Sequence, residues 1–178
     1  FLAGLSNTDS AFDIGSQGTE TILSMLREVF DAVIIDCNCY IDNAGTLTAL
    51  VRADRVFLVT EKSFDAFRCY DFSRKITENA SLIDSAKFTA VFNKVTPELL
   101  LSVKEASAYL RIQNTAEIPD LGPDFTNDCN LSRGQEFIEK SPKAEEFRKA
   151  VSEFAGNIFG AEETEQKPKK KGFFGFGK

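Results

Sequence analysis

The sequence predicts an α/β fold: a mostly parallel, doubly wound sheet with helices on both faces. Three observations carry that expectation. The runs "DAVIID" (31–36), "RVFLVT" (55–60) and "KFTAVFNKV" (87–95) have strand length, and their near-continuous apolar character suits strands covered on both faces. The segments between them space their apolar residues as helices do. Strand and helix alternate almost throughout, an order that favours parallel pairing through helical crossovers.

In chain order, "FLAGL" (1–5) reads as a strand, followed by a polar, flexible stretch to Gly18. Ile22, Met25, Leu26 and Val29 then recur with helical spacing. After the "DAVIID" strand, residues 44–52 suit a short helix, and "RVFLVT" a buried strand. Residues 64–80 suit a helix with Phe64, Phe67 and Ile76 on its apolar side. Beyond the 87–95 strand, Ser102 and Glu105 have the spacing of a capping box, in which each side chain satisfies the other's backbone N–H. "TAEIPD" (115–120) reads as a last short strand running into a loop. Ser141 followed by Pro142 marks another helix start. From there Phe147, Val151, Phe154 and Ile158 fall on one stripe, with Phe147 and Phe154 expected in the core, and Gly160 ends the helix. Residues 161–168 form an acidic, then proline-containing linker, and 169–178 a basic-aromatic tail.

Composition narrows the chemistry. The 178 residues are 43% hydrophobic and 27% charged, as in ordinary globular proteins. No apolar run approaches the roughly 20 residues that cross a bilayer, and no secretory signal is visible. Histidine is absent, which removes Ser-His-Asp and Cys-His catalysis and histidine-ligated zinc. The four cysteines, at 37, 39, 69 and 129, lack zinc-ribbon spacing and read as reduced, small apolar residues. Residues 167–178 carry five lysines and no acid. The remainder holds 16 basic and 27 acidic residues, near −11, and so acidic a body argues against a broad nucleic-acid surface.

Ligands of open α/β sheets bind beyond the carboxyl ends of the strands. That rule puts Asp36, Thr60, Asn93 and the "IPD" loop (118–120) on one rim. Each residue also has a plain structural role open to it: Asp36 as the cap of the next turn, Asn93 as a turn former.

Read together, "FDAVIIDCNCYIDN" (30–43), "ADRVFLVTEKSFDAFR" (53–68), "VFNKV" (91–95), "IPD" and the final helix with its tail resemble the MinD/ParA family of deviant Walker A ATPases. Within it, the similarity leans to MinD-like and TadZ/CpaE-like pilus-assembly members, and it runs from about Asp31 to the C-terminus. The resemblance implies a P-loop NTPase fold whose phosphate-binding loop lies upstream of these residues, so an N-terminal portion is expected to be missing. It implies ATP and Mg2+ as cofactors. Asp36 matches the Walker B carboxylate, which holds magnesium or its waters and serves catalysis. Asn93 matches an asparagine that approaches adenine, with the backbone at Pro119 and Asp120 lining the same base pocket. Residues 1–160 then form the C-terminal part of the ATPase domain.

The family likeness further implies a positioning or assembly factor. Its partners would be itself, as an ATP-dependent homodimer, and proteins of a positioning, pilus or secretion system. The tail would meet an anionic membrane, with Lys169, Lys170 and Lys171 over headgroups and Phe173, Phe174 and Phe176 in the interface. The expected location is cytoplasmic, on the inner face of the cell membrane, with no specific nucleic-acid partner. ATP hydrolysis is expected of the complete protein and little or none from these residues alone.

Two details modulate the resemblance. "NKVT" (93–96) ends in Thr96 where guanine-selecting elements place a carboxylate, which favours adenine. After Asp36 the family usually has a Pro-Ala-Gly-like switch, whereas this chain has Cys37, Asn38, Cys39 and Tyr40. That departure motivates an alternative, a degenerate member that does not hydrolyse ATP and acts as a localisation scaffold. Response-regulator receivers also end a strand with aspartate, but they need an upstream acidic pair. Asp9 and Asp13 are too separated to supply it.

Overall fold

A computed structural model describes residues 15–37, 43–79 and 83–160, with the side chains of 72, 73 and 76–79 excepted. The "FLAGL" segment, the Asn38–Tyr40 part of the switch position, the linker and the whole tail lie outside the described residues. The chain divides into two compact units, Phe1–Asp120 and Leu121–Lys178.

The first unit is built on three parallel strands in the order β1-β2-β3: β1 (Val56–Glu61), β2 (Phe88–Val95) and β3 (Asn114–Pro119). The parallel α/β sheet expected from the sequence is therefore present, with each strand within a residue or two of its expected position. β1 and β2 pair in one unbroken register, from Val56 opposite Phe88 to Glu61 opposite Asn93. β2 and β3 run in register from Thr89 opposite Asn114 to Phe92 opposite Glu117, and resume at Val95 opposite Pro119. Three steps on β2 thus face two on β3, which is a bulge at Asn93 and Lys94.

The crossovers are α3 (Phe64–Asn79) and α4 (Val103–Leu110). Phe67 of α3 and Ala106 and Leu110 of α4 are fully buried with Ala90 and Phe92 of β2, joined by Ile112. Both described crossovers therefore cover one face of the sheet. The Phe67 and Phe92 rings lie 6.1 Å apart, and Tyr109 lies 5.6 Å from Phe67. Phe64, expected on the apolar side of α3, is 52% exposed and leans on Tyr109 at 5.4 Å.

Local chemistry sets the helix ends. The capping box of α4 is complete: Ser102 N donates to Glu105 Oε2 at 3.0 Å, and Glu105 N donates to Ser102 Oγ at 3.2 Å. Asn43 begins α2 (Ala44–Arg52) by accepting from the N–H groups of Gly45 and Thr46. At the other end of α2, Lys87 Nζ donates to the carbonyls of Val51 and Ala53 at 3.4 and 2.9 Å, a cation where the helix dipole is negative. α2 is bound to α1 (Ser16–Val29) by the Arg52–Glu20 ion pair.

Two expectations are corrected here. The flexible stretch to Gly18 is helical from Ser16 onward. "DAVIID" forms no strand, and Ile34 and Ile35 are 86% and 40% exposed. An apolar run becomes a buried strand only where neighbours supply ladder hydrogen bonds and cover, and no described strand pairs with it. α1 has its expected apolar stripe but buries none of it: Met25 is 63% exposed and Val29 73%.

The second unit contains α5 (Gly122–Asn130), α6 (Gly134–Lys140) and α7 (Glu145–Phe159). Phe125 of α5 and Phe137 of α6 pack at 5.7 Å. Gly134 permits this approach, since a Cβ there would stand 2.7 Å from Cys129 Sγ. Ser141 caps a 3-10 turn (Pro142–Ala144) that leads into α7, accepting from Lys143 N at 3.3 Å. Arg148 donates to the carbonyls of Ile138 and Ser141 at 2.7 and 3.0 Å, tying α7 back to the end of α6. Phe147, Phe154 and Ile158 are half-buried rather than core, Val151 is exposed, and Gly160 ends the helix at a φ of 80°.

Candidate functional site

The carboxyl ends of the three strands bring together Glu61 and Lys62, Asn93 to Val95, and Pro119 and Asp120. Asn93 stands opposite Glu61. Val95 stands opposite Pro119, and its carbonyl accepts from Asp120 N at 3.0 Å. Asn93, Pro119 and Asp120, singled out in the sequence as lining one pocket, thus share one rim. No strand pairing, hydrogen bond or ion pair among the described residues joins Asp36 to it. Asp36 is an exposed carboxylate on the segment between α1 and α2. Its neighbour Cys37 is half-buried, and its thiol is pushed above its usual pKa, first by burial and then by the Asp36 charge. That thiol is a poor nucleophile.

Sequence reading missed the ionic structure of the rim. Lys94 has a φ of 54°, in the left-handed region that L-residues avoid. Its ammonium reaches Glu61 Oε1 at 2.8 Å, and this hydrogen bond, then the carboxylate charge, raise its pKa. Lys62 is the one buried charged residue among those described, its side chain 6% exposed. It donates to Glu117 Oε1 at 2.8 Å, on the far strand. Glu117 is in register with Phe92 and so lies on the helix-covered face, while Glu61 and Asn93 lie on the other. The signal available was the pair of charged dipeptide ends, "EK" at 61–62 and "NK" at 93–94.

The residues fit the cofactors in part. Mg2+ commonly takes one or two protein carboxylates, with water and phosphate completing its shell, and an exposed aspartate oxygen meets that requirement. An amide side chain beside a bulged strand end can both donate to and accept from a purine edge. Among the described residues, no group of three or more acidic or cysteine side chains converges as a metal cluster would.

No protein-family model and no curated protein matches the sequence. Solved structures do. A ParA family ATPase from Chlorobium tepidum TLS superposes with a TM-score of 0.72 at 18% identity, covering 86% of this chain and 62% of that one. The MinD cell division protein of Aquifex aeolicus gives 0.60 at 17%, covering 79% and 61%. The chain spans about three fifths of the length of each. Its fold is therefore a parallel α/β fold like those of this ParA family ATPase and of MinD.

Proposed function

We propose that this chain belongs to an ATP-binding positioning or assembly factor of the ParA/MinD kind. The observation that carries this reading is the superposition on a ParA family ATPase over 86% of the chain, with Asn93, Pro119 and Asp120 gathered on the carboxyl rim. In this reading Asn93 and the backbone at Pro119 and Asp120 hold adenine, and Asp36 holds magnesium. The bound ion supplies charge neutralisation at the phosphates. ATP bridges two copies, and pairing doubles the number of tails, so two weak anchors act as a stronger one. Lys169, Lys170, Lys171, Phe173, Phe174 and Phe176 are the membrane residues of that scheme.

Calorimetric titration of Mg-ATP into the intact protein tests it. Asn93→Ala is expected to weaken binding about tenfold, and Asp36→Ala to remove its magnesium dependence, as loss of one polar contact and one ligand should. ATP binding indifferent to both changes overturns the assignment. Co-sedimentation with anionic vesicles, with and without residues 167–178, tests the tail; equal binding by both forms removes it from the scheme.

The second reading, a degenerate member that does not hydrolyse ATP and acts as a localisation scaffold, is favoured by the sequence after Asp36, where Cys37, Asn38, Cys39 and Tyr40 stand in place of a glycine-bearing switch. ATP binding with no phosphate release selects it; steady release selects the switch.

A further inference from the structure

We infer that two lysine–glutamate bridges, Lys94–Glu61 and Lys62–Glu117, clamp the β2 bulge from opposite faces of the sheet and thereby position Asn93. The inference rests on the ATP reading above for its consequence, and on the rim geometry for its existence.

The bulge needs such a device. It places an extra residue in β2 against β3 and leaves Lys94 at a φ of 54°. An irregular, disfavoured backbone persists only where its surroundings over-determine it. Three links do so. Lys94 Nζ meets Glu61 Oε1 at 2.8 Å on the face that Asn93 shares. Lys62 Nζ meets Glu117 Oε1 at 2.8 Å on the face that Phe92 shares, reaching past β2 to the third strand. The Asp120 N–H to Val95 carbonyl bond closes the end at 3.0 Å.

The cost of Lys62 points the same way. It is buried, and it sits two residues before α3 begins at Phe64, where the helix dipole disfavours a cation. A buried ammonium there adds nothing to the apolar core; what it adds is a fixed span from β1 to β3 across the bulge. Glu61 and Lys62 are consecutive, so a single strand end supplies one half of each bridge. Bulges re-aim side chains at the rims of sheets, and Asn93 is one of the two residues that form this one. The four charged residues are positioning residues, because they act on the nucleotide through Asn93.

Charge reversal in the intact protein separates this from direct electrostatics. Glu61→Lys makes the rim more positive and Lys94→Glu makes it more negative, so a direct effect on an anionic nucleotide has opposite signs. The clamp predicts the same sign: each single change weakens fluorescent Mg-ATP binding by about 3- to 10-fold, and the double reversal restores it to within about twofold. Lys62→Met should weaken binding similarly, with Lys62→Arg retaining it. Opposite-signed single effects overturn the inference. So does a double variant no better than the singles, or unchanged singles alongside a weakened Asn93→Ala.

A second readout does not depend on ATP. Hydrogen exchange at the Asp120 amide should accelerate in both single reversals and recover in the double; unaltered exchange overturns the clamp. If the wild-type protein binds no ATP, the nucleotide reading fails by itself, and the exchange data decide whether the clamp exists.

Discussion

The stretch from β1 to β3 and the stretch from α1 to Cys37 are both rich in apolar residues, and both leave some of them in water, Leu100 and Val59 in the first included, but only the first builds a core. In the first, Phe67, Ala90, Phe92, Ala106 and Leu110 are withdrawn from water entirely. In the second, α1 buries nothing, and Ile34 is 86% exposed. The difference lies in partners rather than in composition. β2 has a strand on either side, and its Ala90 and Phe92 side chains lie under α3 and α4. Among the described residues, those of α1 have α2 and two ion pairs, Arg27–Asp54 at 3.3 Å and Arg52–Glu20, and ion pairs this exposed hold about 0–1 kcal/mol each.

Substitutions should scale with that contrast. The largest effect is expected from Phe67→Ala, which empties the space between α3 and β2 and should cost about 3–5 kcal/mol, read as a lower denaturant midpoint. Next comes Lys62→Met, which leaves Glu117 without its cation. Because Glu117 keeps 42% of its side-chain surface, water compensates, and about 1–2 kcal/mol should be lost.

Ser102→Ala should cost about 1 kcal/mol by opening the α4 box. Its acid dependence has a definite sign. The Ser102 hydroxyl and N–H hold the Glu105 carboxyl below its ordinary pKa. The box therefore contributes at pH values above the ordinary carboxylate range, and its contribution fades as pH falls through the lowered folded-state value. In acid the wild type should keep the part of its advantage over Ser102→Ala that comes from the Glu105 N to Ser102 Oγ bond and lose the part that depends on the Glu105 charge, which paired denaturation curves at neutral and acid pH would show. The smallest effect belongs to α1, where Met25→Ser should change stability by no more than about 0.5 kcal/mol. A large loss there would show that α1 is held by contacts its exposure does not reveal, and the contrast would collapse.

The same contrast explains what was legible in the sequence. β1, β2 and β3 were, because continuous apolar runs between turn residues have few other homes. The Ser102–Glu105 box was, because capping is decided within three residues. "DAVIID" has an equally strand-like sequence, yet pairing is a property of neighbours and not of the run itself. α5 and α6 are not legible because "GPDFTNDCN" and "GQEFIEK" are polar and short, with Phe125 and Phe137 meeting only after the chain turns at Leu131 to Arg133. At the rim, Asn93, Pro119 and Asp120 could be placed by the rule for strand ends. The bridges could not, since Lys94 lies 33 residues from Glu61, and Lys62 lies 55 from Glu117. Register alone brings such residues together.

Register also governs how the sheet can assemble. Val56 meets Phe88, and Thr89 meets Asn114, so no rung of either ladder forms by a local hairpin. Each requires closing a loop of 32 or 25 residues, and the closure entropy precedes any hydrogen bond that offsets it. α3 and α4 are the material of those loops, and coiling them into helices shortens the distance to be searched. Refolding should therefore acquire helical signal before amide protection appears in β2, and β2, which belongs to both ladders, should gain that protection in one step with its neighbours.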